Sequence, residues 1–253
     1  MRAIAFSKRT FLELVRDPLS YIFCVGFPII MLLIMNIINE SLPKEAQVEM
    51  FHISRIGPGI CLFGLTFVML FTALQVSKDR STAFLLRVYA SPMSGSDFIV
   101  GYTLPVLGIA VLQQVITFIV VFILGKAADY NFHVQNLLLS ILVLVPSALI
   151  FIGFGLFFGT LLNDKAAPGV CSIIISLACM VGGVWMDVDA ISGMFQKVCK
   201  ALPFYQGNMA ARNAANGNYG DIGKPLLSTL AYGVVIYLLA IWLFEKKRQK
   251  DLR

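Results

Sequence analysis

Six long apolar segments, almost free of charged side chains, dominate this 253-residue sequence. Each contains roughly the 20 residues that an α-helix needs to cross a hydrocarbon core of about 30 Å. We therefore expect an all-α membrane protein with six transmembrane helices in a single transmembrane domain over residues 1–253. The expected spans are residues 19–38, 56–76, 102–124, 137–162, 168–186 and 225–244.

The composition agrees with this expectation. Hydrophobic residues make up 58% of the chain and charged residues only 13%, whereas soluble domains carry about 25% charged residues. Six spans leave no room in this length for a soluble catalytic domain. The net charge of +6 is more typical of anchoring at the cytoplasmic membrane face than of nucleic-acid binding. We expect contact with membrane lipid and none with nucleic acid.

Lys and Arg are unevenly distributed between the two sides that six spans would define. With the N-terminus inside, thirteen of the 20 Lys and Arg residues lie in inner segments and seven in outer ones. This bias favours the cytoplasm for both termini, although four of the outer seven fall in one long loop, where the rule has less weight. The N-terminus has no apolar core followed by a small-residue cleavage site, so no cleavable signal peptide is expected.

Residues 2–17 precede the first span and have the pattern of an amphipathic helix. Its apolar residues fall on one side: Ile4, Phe11, Leu14 and Val15. Its charged residues fall on the other: Arg2, Arg9, Glu13 and Arg16. We expect a helix lying in the membrane interface, with Arg9, Phe11, Glu13 and Arg16 as its characteristic residues, because Asp17-Pro18 ends it just before the span. The alternative is an amphipathic leader with no role.

The inner segment 77–101 carries the most information about function. A short amphipathic helix is expected from Asp79 to about Tyr89, because Asp79 suits a helix start and Ser91-Pro92 stops it. Its apolar residues are Phe84, Leu85, Val88 and Tyr89, and its basic residues are Arg80 and Arg87. Such a helix can dock in a groove of a soluble partner; alternatively, it lies on the lipid surface.

The outer segment 187–224 is long and only partly polar. Ile191, Met194, Phe195 and Val198 recur at helical spacing, and Leu202-Pro203-Phe204-Tyr205 follows. We expect short helices that dip into the outer membrane interface rather than a free loop. The alternative is a folded surface loop.

The sequence lacks the motifs of catalytic and metal sites. It contains no Gly-x-x-x-x-Gly-Lys-[Ser/Thr] phosphate loop and no Cys-x-x-Cys pair, and its two histidines, His52 and His133, lie in separate outer loops. We therefore expect no catalytic residues, no metal and no cofactor in this chain, which would not be an enzyme.

Polar residues within the spans are uncharged. An ion-coupled carrier normally places an ionisable side chain near the membrane midplane, so a transport path through these spans would suit amphipathic or lipid-like cargo better than small ions. Most of these residues are expected to be hydrogen-bond partners between helices. The candidates for a cargo path are Asn36, Thr66, Gln113, Gln114, Ser172 and Ser176.

Several short motifs occur in a characteristic order along the chain. They are Arg16-Asp17-Pro18, Phe27-Pro28, Asp79-Arg80-Ser81-Thr82, Ala90-Ser91-Pro92-Met93-Ser94, Gly101-Tyr102, and Leu202-Pro203-Phe204 with Arg212. In this order and spacing the chain resembles the ABC-2 type permeases, the membrane subunits of ATP-binding-cassette exporters, over essentially its whole length. Much of that family has Glu and a Gly-Thr pair where Asp79 and Ser81-Thr82 stand, which leaves the exact ATPase contact open. The leader lacks the Trp-Arg-rich opening of polysaccharide exporters, which favours the drug, peptide or lipid-like branch.

The resemblance implies an assembly in the cell membrane. Two copies of this chain, or this chain and a sister permease, would pair and bind two ABC ATPase subunits, which would hold ATP and Mg and drive cargo out of the cell. The implied ATPase-coupling residues are Asp79, Arg80, Thr82, Phe84, Leu85, Arg87, Val88 and Tyr89. The alternatives are a stand-alone channel or secondary carrier, and a non-transporting membrane immunity protein.

Overall fold

The computed structural model describes residues 2–43, 49–82 and 94–251, and all regular structure in these ranges is helical. The predicted all-α class is therefore confirmed for this part of the chain. The nine main helices are α1 (Arg2–Val15), α2 (Pro18–Ser41), α3 (Ile53–Ser81), α4 (Gly95–Ala127), α5 (Val134–Leu161), α6 (Ala167–Val181), α7 (Met194–Ala201), α8 (Pro203–Ala215) and α9 (Gly223–Asp251).

Within the described ranges, five helices are long and apolar enough to cross a membrane: α2, α3, α4, α5 and α9. The remaining expected span, 168–186, corresponds to α6, which has only 15 residues and is about 22 Å long at 1.5 Å per residue. Six full-length spans are thus not confirmed, and the expected end at residue 186 is wrong. The helix stops because Gly183 adopts a positive φ of 70°. Asn208 Nδ2 then donates to the carbonyl oxygens of Gly182 and Gly183 at 2.8 and 3.2 Å.

Two other helix boundaries differ from the hydropathy prediction. Helix α4 begins at Gly95 rather than at residue 102, because Ser94 and Asp97 form a reciprocal capping box. Helix α3 continues to Ser81 rather than ending at residue 76. Asp79 therefore lies in the last turn of α3, and its expected place at the start of a separate helix is wrong.

Helix α2 changes geometry near Pro28, the proline in its interior. The segment Ile22–Gly26 forms one π-helical turn, in which the Phe27 N–H bonds to the Ile22 carbonyl oxygen. Pro28 follows directly. A proline ring in a regular helix clashes with the carbonyl four residues earlier, and the wider turn relieves that crowding.

Helix α3 is the centre of the bundle. It is the most deeply buried of the five candidate spans and packs against α2, α4, α5, α6 and α8. Gly155 and Gly159 of α5 lie directly on it: a Cβ added at Gly155 would stand 2.6 Å from the Met69 carbonyl oxygen, and one at Gly159 would stand 2.7 Å from that of Ala73. This small-residue face, which on sequence alone could also have served dimerisation, is used within the chain.

The segment 187–224 contains helices, as its periodicity predicts. Helix α8 packs against α3, α5 and α9, with Ala210, Ala211 and Ala214 buried. Helix α7 leaves Met194 and Phe195 exposed. The expected dipping of these helices into the membrane interface stays a prediction.

Candidate coupling cluster and cargo groove

Helix α1 is fastened to the bundle by an aromatic contact with α4. Phe6 is buried, and its ring packs edge-on against Tyr102 with ring centroids 4.9 Å apart. Gly101 makes room for it, because a Cβ at that position would overlap the Phe6 ring. The pair Gly101-Tyr102 thus has a packing role toward α1.

Five polar side chains from α1, α3 and α4 form what we call the coupling cluster: Arg9, Glu13, Gln75, Asp79 and Tyr102. Arg9 donates two hydrogen bonds to Asp79, at 3.1 and 3.0 Å, and forms an ion pair with Glu13 at 2.6 Å. The Tyr102 hydroxyl donates to Asp79 at 2.5 Å, and Gln75 Nε2 donates to Glu13 at 2.7 Å. Because every member bonds to another, the cluster ties the three helices together at one end of α3.

Burial and charge balance one another in this cluster. The Asp79 side chain is only 7% exposed and the Arg9 side chain 31%. Burial alone would lower the pKa of Arg9, but the hydrogen bond and negative charge of Asp79 raise that pKa above its usual value. The Asp79 carboxylate thus stabilises the charged guanidinium of Arg9 despite its partial burial.

The structure places the described part of the expected ATPase-coupling set in the last turn of α3 and just beyond it. Arg80 Nη1 donates to the carbonyl oxygens of Thr160 and Leu162, at 2.5 and 3.4 Å, and so satisfies the end of α5. Thr82 caps α3, with its hydroxyl donating to the Asp79 carbonyl oxygen at 3.0 Å. The other members of the set, Phe84, Leu85, Arg87, Val88 and Tyr89, lie outside the described residues.

The expected interfacial residues of α1 divide into two pairs. Arg9 and Glu13 turn toward the bundle and join the coupling cluster. Phe11 is 48% exposed and Arg16 is also exposed. Leu14, expected on the same side as Phe11, is buried. Helix α1 therefore faces the bundle with Arg9, Glu13 and Leu14. Its outward side carries the exposed Phe11, which is available to lipid.

The six polar residues expected along a cargo path also divide. Thr66, Gln113 and Gln114 have no exposed surface, and Asn36 is half-buried on α2. Gln113 donates to the Thr117 hydroxyl at 3.2 Å. The Gln113 Oε1 and both amide atoms of Gln114 have no hydrogen-bond partner among the described residues. Thr66, Gln113 and Gln114 therefore lie within the bundle rather than along an open path.

Ser172 and Ser176, in contrast, line an open groove between α2, α3 and α6, which we call the cargo groove. Its volume is ≈ 510 Å³, and the other lining residues are Leu19, Phe23, Phe67, Leu70, Phe71, Leu74 and Ile175. The two hydroxyls donate to the carbonyl oxygens of Pro168 and Ser172 on their own helix, at 2.8 and 3.1 Å. The groove is therefore aromatic and apolar with a narrow polar edge.

Sequence reasoning missed Gln75 and Tyr102 as members of the coupling cluster. Gln75 lies one helical turn before Asp79 on the same face, and that spacing is visible in the sequence. Tyr102 was noted only as part of a motif. The pairing of Arg9 with Asp79, 70 residues apart, has no local signal, because charge pairs between distant helices leave no periodic trace.

Comparison with known proteins supports a transport role. A family model described as ABC-2 type transporter matches residues 2–216, which include the coupling cluster, the cargo groove and α8. A Bacillus subtilis (strain 168) protein named "Putative transport permease YvfS" is 22% identical over 219 residues, which cover 84% of this chain and 84% of that protein. With its candidate spans, the chain is a multi-pass membrane protein and a transport permease. By this match over most of its length, it belongs to the ABC-2 type transporter family.

Proposed function

We propose that this chain is the permease subunit of an ATP-driven exporter in the cell membrane, and that separate partner subunits bind ATP and Mg and hydrolyse the nucleotide. Family membership supports the proposal, and the sequence contains no phosphate loop of its own. The coupling cluster is the structural observation that supports the proposal most directly. The chain leaves α3 next to this cluster and enters residues 83–93, the segment expected to contact the ATPase.

The cluster offers a route for mechanical coupling. A displacement at residues 83–93 would move the end of α3, and the bonds from Arg9 to Asp79 would carry α1 with it. Among the described residues, helix α3 contacts α2, α4, α5, α6 and α8, so its movement would reach most of the bundle. Rigid helices joined by hydrogen-bonded networks are the elements that carry such coupling.

The cargo groove supports amphipathic cargo, which includes drug-, peptide- and lipid-like molecules. Phe23, Phe67 and Phe71 would contact its apolar part, and the hydroxyls of Ser172 and Ser176 its polar part. The groove is open on one side, so a second permease, either a copy of this chain or a sister chain, would close it. Two ATPase subunits would serve the pair. The excess of Lys and Arg in inner segments supports cytoplasmic termini, and so export away from the ATPase side.

Reconstitution tests this function. The tagged chain is purified with whatever co-purifies, and we expect ATPase subunits carrying a phosphate loop in equal number. Vesicles holding both proteins should move a fluorescent amphipathic dye against its gradient only when ATP and Mg are present. Vesicles holding this chain alone should not, and uphill movement by the chain alone would show that it is a secondary carrier instead.

A further inference from the structure

A second groove lies between α4 and α5 and shares no lining residue with the cargo groove. It has a volume of ≈ 190 Å³ and is lined by eight apolar side chains, among them Phe118, Phe122, Val134 and Leu138. Both helices are long and apolar enough to cross a membrane, so hydrocarbon would surround the groove. A slot of this kind accepts an acyl chain without burying a polar group.

One end of this groove carries a positive charge. Lys126, in the last turn of α4, holds its Nζ 4.7 Å from the centre of the Phe122 ring, which lines the groove. Lys126 is exposed, and no ion pair among the described residues includes it. Val134, which also lines the groove, is the first residue of α5, and His133 before it makes no side-chain cap. The positive end of that helix adds to the charge of Lys126.

We propose that the α4–α5 groove is a binding site for an anionic phospholipid. One acyl chain lies along Phe118, Phe122 and Leu138, and the phosphate group is held by Lys126. The apolar lining selects a lipid over a soluble anion, and Lys126 selects an anionic headgroup over a zwitterionic one. The site is separate from the coupling cluster and from the cargo groove, so it stands whether or not the chain is an exporter subunit.

The nearby charges set how large the preference is. Asp129 in the following turn is exposed and opposes an anion, but none of the ion pairs among the described residues joins it to Lys126. One Lys near an anionic membrane surface contributes about 1 kcal/mol, which corresponds to about a fivefold preference. Phosphatidylglycerol is therefore expected to bind about fivefold better than phosphatidylcholine with the same acyl chains.

Native mass spectrometry of the full chain released from detergent micelles measures this preference directly, as the ratio of the first bound phosphatidylglycerol to the first bound phosphatidylcholine. Lys126→Gln should bring the ratio close to one. The matched control is Lys224→Gln, an exposed Lys at the start of α9, which should leave the ratio unchanged. Leu138→Trp, which fills the groove, should lower the bound amounts of both lipids.

Lys126 also suits the C-terminal end of α4 electrostatically, so thermal unfolding of Lys126→Gln is measured alongside and should change little. An unchanged lipid ratio in Lys126→Gln would overturn the proposal, as would an equal loss in Lys224→Gln. Full competition by inorganic phosphate would also overturn it, because the acyl chain would then contribute nothing. Undiminished binding of both lipids to Leu138→Trp would place the site elsewhere.

Discussion

At the scale of single residues, Asp79 is the centre of this molecule's polar chemistry. Its carboxylate accepts hydrogen bonds from Arg9 and Tyr102, and it is almost fully buried. Burying a carboxylate costs desolvation free energy, which nearby positive charges and hydrogen-bond donors offset. If one partner is removed, the remaining buried group bears that cost without compensation. The sequence pattern predicted Asp79 at the start of a separate amphipathic helix, because an acidic residue suits the positive end of a helix dipole.

The pair Arg9–Asp79 is testable by a double-mutant cycle. Arg9→Gln and Asp79→Asn should each lower the free energy of unfolding by about 2 kcal/mol, and the double variant should lose less than the sum by about 1 kcal/mol, since neither charge is then left unpaired. Thermal or chemical unfolding in micelles measures this. Glu49→Gln is the control: Glu49 is 78% exposed in its ion pair with Arg55, so its loss should change stability by less than about 0.5 kcal/mol. Additive single effects would contradict a direct pairing.

The same variants test coupling. If the cluster transmits movement from residues 83–93, Asp79→Asn should reduce ATP-dependent dye movement by about tenfold while the partner's ATP hydrolysis continues. The reason is that α3 loses its ion pair with Arg9 of α1 and keeps only the bond from Gln75 to Glu13. Dye uptake and phosphate release are measured on the same vesicles. Equal falls in both rates would point to loss of folding or assembly instead, and Glu49→Gln should leave both rates unchanged.

At the scale of elements, apolar runs predicted where helices occur but not where they end. Hydropathy marks only the apolar part of a helix, whereas the ends depend on caps and backbone conformation. The start of α4 could have been found from Ser94 and Asp97, whose spacing is that of a capping box. For the early end of α6, Gly182-Gly183 is a signal visible in the sequence. The hydrogen bonds that Asn208 Nδ2 of α8 donates to the carbonyl oxygens of these glycines are not visible there, because α8 is distant in sequence.

The contact between α3 and α5 gives a prediction at this scale. Gly159→Ala should lower the free energy of unfolding by about 1–3 kcal/mol, because the new Cβ meets the Ala73 carbonyl and the helices must separate. Gly108→Ala in α4 is the matched control, since nothing lies within 4 Å of its added Cβ. That change should stabilise the protein by up to about 1 kcal/mol through helix propensity. The unfolding midpoints of both variants are measured in the same detergent. Similar shifts for the two variants would contradict close packing of Gly159 against α3.

At the scale of the whole molecule, the family, the all-α class and the membrane location were all predictable from the order of spans and motifs. Which polar residues are buried in the bundle and which line a groove was not predictable from the sequence. Gln113 and Gln114 looked like path residues because they are polar within a span, yet they are buried in the bundle. Ser172 and Ser176, in contrast, line an open groove. Which side of a helix faces a neighbour depends on packing that hydropathy does not encode.

The cargo groove yields a prediction for the assembled exporter. Ser176→Trp should fill the groove and lower movement of a bulky amphipathic dye by about tenfold, or about 1.4 kcal/mol, while ATP hydrolysis by the partner continues. Leu177→Trp is the matched control, because Leu177 is exposed on the same helix but does not line the groove. Transport assays in vesicles with the purified complex measure both. Equal inhibition by the two variants would contradict a cargo role for the groove.

The shortness of α6 has a consequence for the surrounding bilayer. At about 22 Å it falls below the usual hydrocarbon thickness of about 30 Å, whereas its neighbour α3 has 29 residues. Such hydrophobic mismatch is relieved by local thinning of the lipid layer. Since α6 forms one wall of the cargo groove, the membrane would be thinnest beside the groove, and the barrier that a departing molecule must cross would be lowest there.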